Sequence, residues 1–111
     1  MRQAGIVAAA GLYALEHNRA RLAQDHANAR LIAERLAGIA GIVLDLATVQ
    51  TNIVIFRLAP GAPDAPTVVA RARERGVLVS AFAARTVRLV THLNVDREQC
   101  EHSADVLAAA L

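Results

Sequence analysis

The sequence predicts a small α+β domain: three to four short strands in an antiparallel or mixed sheet, with helices packed on one face. Three observations predict it. Apolar residues recur at helical spacing near both ends of the chain and in its middle. Between those stretches stand runs rich in branched residues: Ile53-Val54-Ile55-Phe56-Arg57-Leu58, whose branched and aromatic content favours a pleated, largely buried strand, and Thr86 to Leu93, whose side chains alternate between two faces. The length of 111 residues, 55% hydrophobic and 20% charged, provides one modest core.

Each element follows from local chemistry. Residues 3–16 read as an apolar, alanine-rich helix with Ile6, Val7, Ala10, Tyr13 and Ala14 at helical spacing. His17-Asn18 interrupts it. Asn18 is placed to cap a second helix, Arg19 to Ala37. Leu22, Ala29, Ala33 and Leu36 form its apolar seam, while Arg21, Gln24, Asp25, Arg30, Glu34 and Arg35 are assigned mostly to solvent. Arg21–Asp25 and Arg30–Glu34 stand at i,i+4 spacing, and Gly38 and Gly41 end the helix.

Alternation over Ile42–Leu46 suggests a short strand, followed by the stronger one that Thr51-Asn52 opens. The loop 60–66 holds all three prolines. Asp64 or Thr67 caps a helix over 66–75, which Gly76 closes. Val77 to Ser80 reads as a strand and Phe82 to Arg85 as a loop. In the last strand alternation puts Arg88, Val90 and His92 on one face and Val87, Leu89, Thr91 and Leu93 on the other. Asp96 is placed to cap the final helix, with Val106, Leu107 and Leu111 on its apolar side.

Composition excludes several functions. All 12 basic side chains are arginine, so nothing in this chain can form a Schiff base through a lysine amine. The net charge is only +2 and charges of both signs are interspersed, which does not make a nucleic-acid footprint. No apolar run reaches the roughly 18 residues of a membrane span. The N-terminal stretch continues into a polar helical pattern without a small-residue cleavage site, so it is read as part of the domain and not as a secretory leader. The lone cysteine, Cys100, cannot form an internal disulfide, and a reducing, cytoplasmic setting is expected.

Few residues stand out as carriers of chemistry. Arg88 interrupts an apolar strand, where a guanidinium must find a carboxylate, a phosphate or water. Its planar fork suits bidentate capture of a carboxylate; the competing reading is an edge-strand arginine turned to solvent. His92 shares its face if the strand is regular, and a hydrogen-bonded structural role is its default. Arg2, ahead of a helix start, could bind a phosphate or simply be an exposed terminal arginine. His17, His26 and His102 show no ligand spacing with one another or with Cys100, so no metal site is expected. Cys100 is expected to be an inert thiol. Gly5 and Gly11 make no nucleotide-binding loop.

Together these segments resemble a known family. Met1-Arg2-Gln3-Ala4-Gly5-Ile6, Ala8 to Leu15, Leu22 to Ala29, Thr51-Asn52-Ile53-Val54 and Val87 to Glu98 are similar, in order and spacing, to the C-terminal region of low-specificity L-threonine aldolases. The resemblance implies the small domain of a pyridoxal-phosphate enzyme of the aspartate-aminotransferase fold type (fold type I). Residues 1–17 would lead in from an absent large domain and 18–111 would form the C-terminal small domain. It implies a parent lyase that cleaves L-threonine or L-allo-threonine to glycine and acetaldehyde and assembles as a homotetramer. The cofactor lysine would lie upstream of this segment, leaving the chain inactive alone. Arg88 matches the family arginine that binds the substrate α-carboxylate, and Arg2 one near the cofactor phosphate, often reached across a subunit boundary. His92 matches a typical residue to which no role is assigned, and no catalytic residue is expected here. The alternatives are a free-standing, non-catalytic binding or dimerisation module, and a pyridoxal-phosphate lyase for another β-hydroxy amino acid.

Overall fold

The computed structural model describes residues 2–111; Met1, which opens the resembling stretch, lies outside the described residues. The chain runs through α1 (Ala4–His17), α2 (Leu22–Ala37), β1 (Ile42–Val43), β2 (Ile53–Leu58), α3 (Ala65–Glu74), β3 (Ser80–Ala83), β4 (Thr86–Val90) and α4 (Arg97–Ala109). The four strands form one antiparallel sheet in the order β1-β2-β4-β3. This is the α+β arrangement the sequence predicts, with α2, α3 and α4 packed on one face.

Period-two alternation decides which face is covered. Val54, Phe56 and Leu58 of β2 and Val87 and Leu89 of β4 are buried. They meet Ala29, Ile32, Ala33 and Leu36 of α2, Val68 and Ala72 of α3, and Ala104 and Leu107 of α4 in one core. Small residues on the helices let them lie close to the sheet, and Phe56 and Leu36 are the largest side chains fully buried between the layers. The alternate residues of the central strands, Ile53, Ile55, Arg57, Arg88 and Val90, point away from the helices.

Several local expectations hold. Asp64 accepts from the Thr67 backbone N–H at 3.0 Å, and Asp96 and Gln99 exchange hydrogen bonds of 2.8 and 2.9 Å in a capping box. Gly76, at φ 79, takes the left-handed conformation that ends α3. Arg30–Glu34 and Arg21–Asp25 pair at 2.7 and 3.1 Å.

Others are corrected. Asn18 makes no side-chain cap; its backbone N–H closes α1 on the Ala14 carbonyl, and a 3₁₀ turn over Arg19–Arg21 leads into α2. Asp25 is buried, because Arg21 grips both of its carboxylate oxygens, while Leu22 is exposed. β1 stops after two residues because the Asp45 side chain accepts from Ala47 N–H and winds the chain into a 3₁₀ turn, Leu46–Thr48. The third strand falls at Ser80–Ala83 and not at 77–80. A tight turn at Ala84-Arg85 pairs Ser80 with Arg88, so β3 takes up residues expected to be loop. Arg85 is a structural clamp: its guanidinium donates to the carbonyls of Leu58, Ala59 and Ala62, pinning the proline-rich loop.

α1 stands apart from this body. It buries none of its residues and rests on the 3₁₀ turn that follows it, giving the chain an elongated outline of 52 × 27 × 25 Å. Among the described residues no helix is long and apolar enough to cross a membrane.

Candidate functional site

The site is built on the uncovered face of the sheet. β4 is an interior strand, hydrogen-bonded to β2 on one side and β3 on the other. The competing reading of Arg88 as an edge-strand residue is therefore wrong in its premise. Arg88 stands opposite Ile55 on β2 and Ser80 on β3. The strands around it carry no carboxylate: β2 is IVIFRL, β3 is SAFA and β4 is TVRLV. The surface is thus apolar with two cations, Arg57 and Arg88.

Arg88 is half-buried. Its Nε is shielded from solvent and has no hydrogen-bond partner, and none of the ion pairs among the described residues includes it. A buried donor left unpaired is costly, so such a group marks a place where a partner is expected. The guanidinium carbon lies 5.5 Å from the centroid of the Phe82 ring. Phe82 is the residue that sequence reasoning missed. It was assigned to a loop, and the β-bulge between Ala81 and Ala83 that inserts it into the strand leaves no signal in residue type.

The other candidates are placed elsewhere. Arg2 is exposed in the turn before α1, at the end of that helix remote from the body and so about 21 Å of helix away from it. A single chain does not bring Arg2 and Arg88 together. His92 lies beyond the end of β4, in the turn toward α4, where its Nδ1 accepts from the Asn94 backbone N–H at 3.2 Å. It stands two residues past the last residue of β4, Val90. With His102, Cys100, Arg75 and Val77 it lines a separate cleft of about 390 Å³ that does not include Arg88. Cys100 is buried, and burial, with Asp96 and Asp25 nearby, pushes its thiol pKa up, which disfavours the reactive thiolate. His17 stacks on Tyr13 with ring centroids 4.1 Å apart. Among the described residues no group of three His, Cys, Asp or Glu is placed to hold a metal ion.

The fold and this sheet face define a class: an α+β small domain presenting an arginine, without acidic neighbours, on an open sheet. Comparison with known proteins narrows it. A family model described as beta-eliminating lyase matches residues 1–59. The chain is 44% identical over 99 residues to the low-specificity L-threonine aldolase of Escherichia coli strain K12, covering 89% of this chain and 28% of that protein. It is 30% identical over 112 residues to low-specificity L-threonine aldolase 1 of Arabidopsis thaliana, covering 100% of this chain and 31% of that one. A structure of MppP soaked with the product 2-ketoarginine shares the fold, with a TM-score of 0.65 at 19% identity over 86% of this chain and 29% of that chain. The chain belongs to the beta-eliminating lyase family. It spans less than a third of the length of the two aldolases it matches.

The cofactor implied by the resemblance can be tested against the residues present. A covalent pyridoxal-phosphate site needs a lysine amine, and this chain contains none. Among the described residues two buried side-chain donors lack a partner, Asn28 Nδ2 in α2 and Arg88 Nε on the sheet. The residues of this chain alone do not make the cofactor's cradle.

Proposed function

We propose that this chain is the C-terminal small-domain part of a pyridoxal-phosphate lyase of the threonine aldolase type, which cleaves L-threonine and L-allo-threonine to glycine and acetaldehyde. The observation that carries the reading is Arg88: a half-buried guanidinium on an acid-free sheet face, with a shielded Nε that nothing pairs. A carboxylate is the partner whose two oxygens match that planar fork. In this role Arg88 binds and orients the α-carboxylate of the amino acid, and so fixes which substituent bond stands ready to break. The bond-breaking chemistry belongs to the cofactor and to residues outside this chain, which is inactive alone.

The exposed apolar α1 and the bare sheet face support the division into a lead-in helix, residues 1–17, and a small domain, 18–111. Arg2, held away from Arg88 within one chain, is assigned to a cofactor phosphate across a subunit boundary in a homo-oligomer. The buried single thiol accords with a reducing, cytoplasmic setting.

The test is Arg88→Ala and Arg88→Lys in the full-length lyase. Alanine is expected to raise KM for L-threonine and to lower kcat/KM by at least about tenfold, the scale of a lost charge-assisted hydrogen bond. Lysine, a point charge without the fork, is expected to recover only part of it. Wild-type kinetics for Arg88→Ala would refute the assignment.

A further inference from the structure

We infer that Phe82 is a positioning residue for Arg88, holding the guanidinium by a cation–π contact so that its outer edge is presented to a carboxylate. The inference rests on the carboxylate reading of Arg88 and deepens it.

The ladder between β3 and β4 pairs Ser80 with Arg88 and Ala81 with Val87, and then jumps to pair Ala83 with Thr86. Phe82 is the inserted residue. A bulge of this kind kinks its strand and re-aims a side chain, and such features concentrate beside functional sites. Here it lays a large aromatic ring against the Arg88 guanidinium, 5.5 Å from carbon to centroid, within the range of a cation–π attraction. Phe82 packs into no core and stays 62% exposed, so the ring is not there to fill the interior. Its surroundings on β2, β3 and β4 hold no acidic side chain that could fix the arginine instead.

The consequence is geometric. A guanidinium has two broad faces and a rim of five N–H donors. A cation–π contact holds the charge without pairing any N–H donor with an acceptor atom, unlike a salt bridge within the domain, which would compete with the substrate. The N–H donors, the unpaired Nε among them, stay free for a carboxylate, and the arginine loses less rotamer freedom when one binds. Phe82 thereby prepares Arg88 without touching the substrate.

The experiment compares Phe82→Leu, Phe82→Tyr and Arg88→Ala in the full-length lyase with its cofactor, measuring kcat and KM for L-threonine and the thermal midpoint of each. Leucine keeps apolar bulk and removes the ring. We expect Phe82→Leu to raise KM about two- to fivefold, the fold-change of an exposed cation–π contact, with kcat and the midpoint little changed. Phe82→Tyr, which keeps the ring, is expected to restore the wild-type KM. An unchanged KM in Phe82→Leu beside a raised KM in Arg88→Ala would overturn the role of Phe82 and leave the function of Arg88 standing. A tyrosine variant that behaves like leucine would overturn it as well. Unchanged kinetics in Arg88→Ala would instead overturn the carboxylate reading, and the positioning role with it.

Discussion

The Thr91 hydroxyl donates a 2.6 Å hydrogen bond to the backbone carbonyl of Asp25, joining the end of β4 to the first turns of α2 across 66 positions of sequence. Thr91 is 2% exposed. Its backbone also continues the sheet past the last ladder pair: Thr91 N–H donates to the Asn52 carbonyl at 2.9 Å, and the Asn52 side-chain amide donates to the Thr91 carbonyl at 2.8 Å. The strand that bears Arg88 is thus tied to a helix three residues further on. Thr91→Val keeps the shape and deletes the hydroxyl. It is expected to cost about 1–2 kcal/mol, the worth of a buried hydrogen bond plus the cost of a weakened partner. Urea titration should show a lower midpoint with an unchanged slope.

The two faces of β2 give the sharpest contrast in the molecule. Phe56 is 1% exposed and is among the largest fully buried side chains, whereas Ile55 next to it is 43% exposed on the bare face. Phe56→Ala is expected to destabilise the domain by about 3–5 kcal/mol through lost contact and an unfilled cavity. That is a large part of the roughly 5–15 kcal/mol that holds an ordinary domain folded. Ile55→Ala should cost under about 1 kcal/mol in the isolated chain. Thermal melts of the two variants, followed by circular dichroism, would check which face is the interior; equal shifts would contradict the sheet orientation.

Three helix ends were legible in the sequence, because a cap is decided within four residues, whereas Asn18 was expected to cap α2 and does not. Asp64, Asp96 and Gly76 all sit where their residue types placed them. The alternation of Val87, Leu89 and Thr91 was legible for the same reason: a period of two needs no tertiary information. Asp25 shows where that ends. Its charge assigned it to solvent, and only the bidentate grip of Arg21 makes its burial tolerable. The third strand was misplaced because Val77-Leu78-Val79 has the stronger strand propensity, while the ladder is set by the turn at Ala84-Arg85 and the partner strand. At the site, the break in apolar alternation made Arg88 visible. Phe82 was invisible, since a bulge depends on a pairing register that one strand does not encode.

The cap at α3 has a consequence for pH. Hydrogen bonding from Thr67, side chain first and backbone second, holds the Asp64 carboxyl below its ordinary range, with Arg85 adding a smaller pull. The folded pKa is depressed, so this stabilisation is present above the unfolded value near 4 and is lost as pH falls through the folded value. Asp64→Asn keeps a cap acceptor without the charge. Its stability is expected to fall less steeply than wild type below about pH 4, and the curves should run parallel near neutrality. Chemical denaturation at a series of pH values would measure the difference; identical acid limbs would show that Asp64 contributes nothing to it.

The first helix carries apolar side chains without using them. Ile6, Val7, Leu12, Tyr13 and Leu15 are all exposed, and α1 has no buried residue. An exposed surface of this kind is not left wet when another apolar surface is available, and a second chain provides one. The 111-residue chain is therefore expected to self-associate, with an apparent mass that rises with concentration in sedimentation or light scattering. Deleting residues 2–17 should abolish much of that association and cost little stability, because the core is assembled entirely from later elements. Replacing Ile6, Leu12 and Leu15 together by Gln should act in the same direction while leaving helix content intact, which separates the apolar surface from the helix itself. A wild-type chain that stays monomeric at high concentration would show that α1 tolerates water on every side.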